Sequence, residues 1–416
     1  METNPSQELA EETQSDLMVN NLVYRAPQQL SKCVSRTTKR QRFQRNNYQP
    51  LETAVCDFNT GSDYIDCNNS YLTFSVDLEG TTATANFGTG SCINFLERVV
   101  VSSRSGTELC REERLNLLSK NQLRYTHSQD WVHNYGSMLG MGPTGNFSTD
   151  PVVLTQGTTK KFVIPCNLLS GLFRPLNGQL LPAALASGLH IEILWADHRT
   201  ALVQKGGTLT GYLIKDIAFV TDNSTLSDDT QKTLNLEATS GLEYCFNRYY
   251  TATNSISSTS INAQLRKACS QANKACSTLL VQANVLDVTK DSLASDAWGV
   301  STWNYRLGGL HFPNQSLIDP QGIESFFLAQ STFGKSAHPD KENAISLSDY
   351  TTRYANIAQS FERDQELNLS GMPINSSRCL ELSGSLSSYT TPLELVTFLE
   401  YTCVARCFID NCLLSI

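Results

Sequence analysis

Charged residues are scarce in this sequence, and long apolar runs are missing. Lys, Arg, Asp and Glu make up 17% of the 416 residues, below the roughly 25% of an average globular protein. No stretch approaches the roughly 18 apolar residues of a membrane-spanning helix, so we expect no membrane insertion. Because 40% of the residues are hydrophobic, the chain can bury sizeable cores, which excludes global disorder.

An excess of basic residues is also missing. The formal net charge is −8 and the pI is near 5.4. Proteins that wrap nucleic acid are usually basic, so the composition excludes genome binding by the whole surface. Ser, Thr and Asn replace much of the missing charge, and that composition suits many short strands joined by polar turns.

The sequence lacks the motifs of the common enzyme classes. The nucleophile elbow G-x-S-x-G, the P-loop G-x-x-x-x-G-K-[ST] and H-E-x-x-H do not occur. Gly88-Thr89-Gly90 resembles a glycine-rich loop, but no residue that could hold a phosphate follows it, so we interpret it as a turn between strands. We therefore expect no enzymatic activity and no cofactor.

His190 and Glu192 are the residues most suggestive of a metal site. Alternate residues of a strand project to one face, and His198 is the only nearby third ligand, so a cupin-like metalloenzyme would use these three. The other interpretation is a polar outer strand face. A zinc deaminase would also need a P-C-x-x-C motif on a helix, which the spacing of the C-terminal cysteines does not match. We predict that the chain has no metal site.

Thirteen cysteines, an odd number, are distributed over the chain. The polar start METNPSQELAEETQSD does not resemble a secretory signal. Most of the cysteines lie inside apolar patterns, where free thiols behave as small core residues. We predict buried free thiols in a protein made in the cytosol or nucleus, rather than a disulfide framework.

Alternating hydrophobicity predicts strands in both halves of the chain. In the first half the period of two is clear over residues 71–78, 189–195 and 212–220. In the second half it is clear over 242–252 and 395–409. Short strands separated by turn signals indicate a sandwich or barrel rather than alternating strands and helices. The predicted fold class is all-β with a few short helices.

Three segments are predicted to be helical. Residues 108–125 are rich in helix formers and contain neither Gly nor Pro. Residues 260–282 carry a stripe at helical spacing that includes Cys269 and Cys276, which we interpret as core residues rather than ligands. A short helix is predicted in IESFFLAQSTFG, ending near Gly334.

We divide the chain into an N-terminal arm (1–60), a first β domain (61–222) and a second β domain (223–416). The boundary is placed in 221–233, which has no apolar periodicity and is rich in turn formers. The two halves have similar layouts without a strict short repeat, which indicates a duplicated architecture.

Five basic residues lie close together in the arm. They are Arg36, Lys39, Arg40, Arg42 and Arg45. One interpretation is an inward-facing segment that contacts nucleic acid or an acidic partner. The other is a solvated basic loop, or a segment that pairs with a neighbouring acidic surface.

Five stretches carry a resemblance to a known family. They are IPCNLLSGLFRPLNGQLLPAALASGLHIEILWA, YLIKDIAFVTD, YRLGGLHFPNQSL, SGMPINSSRCLEL and TFLEYTCVARCFIDNCLLSI. Together they resemble the double jelly-roll major capsid proteins of small eukaryotic double-stranded DNA viruses, nearest to those of Polinton-like viruses and their virophage relatives. The resemblance covers nearly the whole chain after the arm.

The resemblance implies two tandem eight-stranded jelly-roll β-sandwiches, placed at 61–222 and 223–416. It also implies a structural subunit that forms homotrimers, pseudo-hexagonal tiles of an icosahedral shell. Its partners would be further copies of itself, neighbouring capsomers, penton and minor capsid proteins, with a weak contact of the arm to the genome. The protein would be made in the host cytoplasm or nucleus and would reside in the virion. The alternatives are a carbohydrate-binding β-sandwich and the cupin-like metalloenzyme.

Overall fold

Strands make up most of the molecule, as alternating hydrophobicity predicts. The computed structural model describes seven stretches: residues 33–141, 152–295, 299–333, 345–364, 369–375, 379–408 and 412–415. The first part of the predicted arm, residues 1–32, and Gly334 lie outside the described residues.

Two antiparallel sheets form the first jelly roll. Sheet A contains β1 (Cys33–Arg42), β3 (Tyr64–Asn86), β6 (Leu154–Thr155), β7 (Lys160–Pro165) and β9 (Val203–Leu226). Sheet B contains β2 (Thr53–Asp57), β4 (Leu96–Ser102), β5 (Glu108–Glu113) and β8 (His190–Trp195). The strand order is β1-β9-β3 in sheet A, where β6 and β7 both pair with β3, and β2-β8-β4-β5 in sheet B.

Two further antiparallel sheets form the second jelly roll. Sheet C contains β10 (Leu242–Ile256), β12 (Cys269–Val281), β15 (Ile357–Ser360), β16 (Met372–Ile374), β18 (Leu393–Cys407) and β19 (Cys412–Ser415). Sheet D contains β11 (Ser260–Leu265), β13 (Val300–Leu307), β14 (Leu310–Ile318) and β17 (Leu380–Leu386). The order is β10-β18-β12-β15 in sheet C and β11-β17-β13-β14 in sheet D.

The strands of both halves have the same connectivity. If the eight main strands of each half are numbered along the chain, one sheet has the order 1-8-3-6 and the other has 2-7-4-5. This is the connectivity of a jelly roll, in which strands from distant parts of the chain lie side by side. The duplicated architecture that the sequence predicts is therefore present strand by strand.

Helices occupy the connections between strands. They are α1 (Leu115–Thr126), α2 (Gln129–Asn134), α3 (Ala183–Ala186), α4 (His198–Ala201), α5 (Asp228–Ser240), α6 (Ile323–Phe333) and α7 (Leu347–Arg353). Within the described residues, no helix is long and apolar enough to cross a membrane. In each half the connection from the fifth to the sixth strand begins with a helix, α1 in the first and α6 in the second.

The alternating apolar residues face the inside of each sandwich. In the first jelly roll Phe74 of β3 and Trp195 of β8 pack edge to face, with ring centroids 5.5 Å apart. In the second, the Tyr305 hydroxyl lies 2.8 Å from Ser277 Oγ, which lies 2.7 Å from Thr397 Oγ1, so a buried polar link joins sheets C and D. Burial of the aromatic residues on both inner faces is the main stabilising contribution to such a core.

The helix predicted for residues 260–282 is wrong, because these residues form β11 and β12. β12 lies in the middle of sheet C and is covered on both faces, so it has no polar side and no clear alternation. A strand buried on both faces cannot be distinguished from a buried helix by its periodicity. The helix predicted for 108–125 is correct only from Leu115 onward, because residues 108–113 form β5.

The predicted segment boundaries differ from the observed elements. Residues 33–42 and 53–57, assigned to the arm, form β1 and β2 of the first jelly roll. β9 continues to Leu226, four residues past the predicted division, and α5 then connects it to β10. The sequence pattern did not indicate β1, because this strand is rich in basic residues. A strand at the edge of a sheet can expose charged side chains.

Candidate functional site

The interface between the two jelly rolls, called the joint below, is formed by α1 and β5 of the first jelly roll and by sheet C of the second. Helix α1 of the first jelly roll lies on the outer face of sheet C, where Asn121 Nδ2 donates a 3.0 Å hydrogen bond to Thr278 Oγ1. On the same face Arg114, immediately before α1, pairs with Glu394 of β18. Sheet C is therefore covered by sheet D on one side and by the first jelly roll on the other.

The side chain of Lys120 extends from α1 into the second jelly roll. Its Nζ donates hydrogen bonds to the carbonyl oxygens of Leu293 and Arg353 and to Ser295 Oγ. Nζ also lies 5.3 Å from the centre of the Tyr354 ring. Burial lowers the pKa of Lys120 to about 7. The three acceptors match the three hydrogens of an ammonium group, so they hold α1 in one position on the second jelly roll.

Glu112 is a second buried ionisable group in the joint. It lies on β5, and its Oε1 accepts a 3.2 Å hydrogen bond from the backbone N–H of Gly171. Burial raises the pKa of Glu112 to about 7, although the nearby Arg248 guanidinium opposes the rise. Among the described residues, its Oε2 has no hydrogen-bond partner. The carboxyl group is therefore held near the point of changing its charge at neutral pH.

The strands β5 and β10 contact each other in this joint. Thr251 Oγ1 of β10 donates a 3.1 Å hydrogen bond to the carbonyl oxygen of Glu113. Close by, Glu400 of β18 accepts a 3.0 Å hydrogen bond from Asn247 and forms a 3.2 Å ion pair with Lys274. The hydrogen bond from Thr251 thus links sheet B to sheet C, whereas the contacts of Glu400 join neighbouring strands within sheet C.

The Gly88-Thr89-Gly90 turn receives a carboxylate from the second jelly roll. Asp291 Oδ2 accepts a 2.6 Å hydrogen bond from the backbone N–H of Thr89. Gly88 has a φ of +55°, and a Cβ atom at this position would collide with the Asp291 carboxylate. The prediction of a strand-to-strand turn is correct, and the turn also serves as a contact point between the jelly rolls.

The structure places the five basic residues predicted as a contact on and just after β1. Arg36 forms ion pairs with Asp66 and Asp222. Lys39 lies 2.6 Å from an Asp63 carboxylate oxygen. These pairs are formed within the first jelly roll and neutralise both cations.

The other three basic residues differ in their surroundings. Arg45 lies 3.2 Å from Glu52 and above the Tyr48 ring. Arg40 and Arg42 are exposed and form no ion pair with any described residue. Only these two of the five retain a charge without a counter-charge at ion-pair distance in the described chain.

The three residues considered as metal ligands do not come together. His190 Nδ1 lies 2.6 Å from Asp57 Oδ1 and its Nε2 lies 3.2 Å from Glu192, so His190 and Glu192 share a face as predicted. The hydrogen bond to Asp57 raises the pKa of His190. His198 lies beyond the other end of β8, about 16 Å of strand away, and pairs with Asp197. No group of His, Cys, Asp and Glu in the described part of the chain could hold a metal ion.

Twelve of the thirteen cysteines have described side chains, and no disulfide joins any two of these twelve. Cys33, Cys245 and Cys379 are half-buried and the other nine are buried. Burial raises the pKa of several thiols, for example that of Cys56 to about 12 and that of Cys269 to about 11. Most of the described thiols are core residues, as the sequence predicts.

The repeated strand connectivity and the joint between the two halves define a double jelly-roll fold. Solved structures of viral capsid proteins share it. One is PBCV-1 VP54, whose crystal structure was fitted into a cryo-EM reconstruction of the virophage Sputnik: 12% identity, TM-score 0.64, covering 94% of this chain and 99% of that chain. The Faustovirus major capsid protein matches with 9% identity, a TM-score of 0.64 and 92% coverage of both chains.

A third solved structure, the mavirus major capsid protein, matches with 8% identity and a TM-score of 0.52, covering 95% of this chain and 93% of that chain. No family model matches the sequence, and no curated protein matches it. At these identities the likeness shows the fold. The predicted fold class, two tandem jelly rolls, is confirmed.

Proposed function

We propose that this chain is the major capsid protein of a double-stranded DNA virus and has a structural rather than an enzymatic role. The observation that carries the proposal is the side-by-side pair of identically wired jelly rolls. The same fold extends over more than nine-tenths of this chain and of the Faustovirus and mavirus major capsid proteins. Its place would be the virion, after synthesis in the host cytoplasm or nucleus.

The shape of the subunit supports a pseudo-hexagonal tile. Each chain contributes two similar lobes, so three chains in a ring contribute six lobes around a pseudo-sixfold axis. Such a homotrimer would contact neighbouring capsomers on its flanks, and penton and minor capsid proteins at the vertices and beneath the shell. The chemistry required is packing and surface complementarity, which fits a chain whose buried ionisable groups join its own two lobes.

We also propose that a partner contact of the basic segment depends on Arg40 and Arg42. Arg36, Lys39 and Arg45 are paired within the chain, so they have less charge to offer a genome or a protein partner. Two arginines form a small site. This favours a local contact over wrapping of nucleic acid, in agreement with the net charge of −8.

The test is the solution mass of the full chain, measured by light scattering after size exclusion, followed by electron microscopy. A stable species of three times 46.0 kDa that forms hexagonal tiles is the expected result. A monomer at every concentration and salt, with no tiles or shells under any assembly condition, would overturn the proposal.

A further inference from the structure

A lysine, an asparagine and an aspartate lie together on sheet A, where the first and last strands of the first jelly roll are neighbours. In the register of β1 and β9, Thr37 lies opposite Asn223 and Lys39 lies opposite Thr221. Lys39 and Asn223 are therefore diagonal neighbours on one face of the sheet, where a long side chain can reach the next strand. This face is the inner one, because the same alternation of β9 includes the core residue Phe219.

Asp63, which immediately precedes β3, contacts both side chains. Its Oδ2 lies 2.6 Å from Lys39 Nζ and 3.5 Å from Asn223 Nδ2. Because one oxygen atom contacts both nitrogens, the amine and the amide cannot be further apart than these two distances together. Thr225 Oγ1 donates a 2.9 Å hydrogen bond to the other oxygen, Oδ1, and so orients the carboxylate.

Burial distinguishes this group from a surface ion pair. Asn223 is fully buried, Asp63 is 8% exposed and Lys39 is half-buried. Among the described residues, Asn223 Oδ1 has no hydrogen-bond partner. A buried amide oxygen without a partner is uncommon in folded proteins and is often associated with a chemical role. An ion pair requires only Lys39 and Asp63, whereas a reaction between an amine and an amide requires all three residues.

We propose that Lys39 and Asn223 form an isopeptide bond within the chain, with Asp63 as the acid–base group. The reaction needs no cofactor, oxidant or second protein. The bond joins β1 to β9, so the covalently closed loop contains nearly the whole first jelly roll. This inference goes beyond the proposed capsid function and does not depend on it.

The reaction replaces one amide bond by another. Asp63 accepts a proton from the Lys39 ammonium group across their 2.6 Å contact, which leaves a neutral amine as the nucleophile. Nζ then attacks Cγ of Asn223 and forms the new C–N bond in a tetrahedral intermediate. Asp63 donates its proton to Nδ2 and takes one from Nζ. The Cγ–Nδ2 bond breaks, and its electron pair leaves with ammonia, which takes up the proton remaining on Asp63 and departs as ammonium.

The first proton transfer is expected to limit the rate. Although burial alone would raise it, the hydrogen bonds from Lys39 and Thr225 hold the pKa of Asp63 below its ordinary value. Asp63 is therefore ionised and able to accept a proton, but the transfer replaces a stable ion pair by two neutral groups. The bond should form slowly after folding, in a site where the fold already holds the reacting groups together.

The test is the intact mass of the full chain, measured when freshly purified and again after prolonged incubation. The expected result is a loss equal to the mass of one ammonia molecule, with a branched tryptic peptide that joins the segments containing Lys39 and Asn223. In a denaturing gel the bonded chain should migrate faster than Lys39→Arg, since a closed loop restricts the unfolded chain. A folded natural chain that keeps its full mass and gives no branched peptide overturns the inference and leaves the proposed function intact.

Two variants test the roles of the side chains. Lys39→Arg keeps a cation beside Asp63 but offers no amine, and Asp63→Asn keeps the shape of the side chain but cannot carry the proton. Both are expected to retain the full mass, with circular dichroism spectra like that of the natural chain. Lys215→Arg is the matched control, because Lys215 pairs with Asp77 in the same sheet, and this variant should lose ammonia as the natural chain does.

A competing reaction also releases ammonia, since an asparagine side chain can cyclise on its own backbone. That reaction needs no lysine and gives no branched peptide. A loss of ammonia that persists in Lys39→Arg would therefore identify the cyclisation and overturn the inference. The branched peptide of the natural chain decides the question even if a variant fails to fold.

Discussion

At the scale of the residue, the joint depends on ionisable side chains that most proteins keep at the surface. Lys120 and Glu112 are both buried, and burial brings both pKa values to about 7. Leu or Met at such positions would avoid the cost of desolvating a charge. What a lysine with three fitted acceptors adds is one defined position of α1 on the second jelly roll, because any displacement leaves buried carbonyls unpaired.

Glu112→Gln is expected to change how stability depends on pH. The folded pKa of Glu112 is about 7, above its ordinary value of 4.5, so the folded state retains a proton that the unfolded state loses. The free energy of unfolding of the natural chain should therefore fall as the pH rises from about 4.5 to 7. Gln does not titrate, so the variant should not lose this stability. The free energy of unfolding of the variant minus that of the natural chain should therefore be about 2–4 kcal/mol larger at pH 8 than at pH 4.

Chemical denaturation at pH 4 and pH 8 measures this effect. Glu113→Gln is the matched control, because Glu113 is the next residue on the same strand and its side chain is 47% exposed. A pH dependence that is the same in Glu112→Gln as in the natural chain would show that Glu112 does not titrate in the joint.

Gly88→Ala is expected to lower the free energy of unfolding by about 2–4 kcal/mol. Part of this loss is strain at φ +55°, and the rest arises because the new Cβ displaces Asp291 from the Thr89 N–H. Gly106→Ala separates the two, since Gly106 has φ +81° and open space around it. Equal losses in the two variants, measured by thermal denaturation, would show that the Asp291 contact adds nothing.

At the scale of the element, the sequence predicts the strands that have one polar face and fails for those that do not. β8 alternates between buried and half-buried residues, and β3 alternates between apolar and polar residue types over 72–78, so their strand assignment is correct. β12 has buried residues on both faces because α1 covers the outer one, and its mixture of Ala, Cys and Lys favoured a helix. β1 was missed for the opposite reason, since its exposed residues are mostly charged or polar.

The joint itself could not be found from the sequence. Lys120 and Ser295 are 175 positions apart, and no local pattern indicates that they meet. The only local signal is a charged residue inside an apolar stretch, as Lys120 is in LNLLSKNQL. The five basic residues were found by their spacing, but their acidic partners on distant strands decide which of them stay available.

Phe398→Ala tests the cover that α1 provides. Phe398 points outward from sheet C, yet it is 1% exposed. We therefore expect a loss of about 3–5 kcal/mol in the free energy of unfolding, as for Phe74→Ala in the inner core. Tyr71→Ala, in β3 of sheet A, should cost the chain less, since Tyr71 is only half-buried. A loss below about 1 kcal/mol for Phe398→Ala, measured by denaturant titration, would contradict the covered face.

At the scale of the whole molecule, the two jelly rolls share one hydrophobic core cluster. The buried residues of both halves form a continuous set of contacts, so the lobes are not independent bodies on a linker. We expect calorimetry of the full chain to give one unfolding transition rather than two. Two resolved transitions, each assigned to one lobe by the loss of its own tryptophan signal, would contradict this coupling.

Helix α5 connects the end of β9 to the start of β10, and so keeps the two lobes on one chain. In a ring of six lobes built from three chains, every second contact is then intramolecular and is already formed when the chain folds. Mass action makes such a ring depend on the third power of the protein concentration, whereas six separate lobes would require the sixth. The covalent connection thus lets rings persist at dilutions that would dissolve a ring of single jelly rolls.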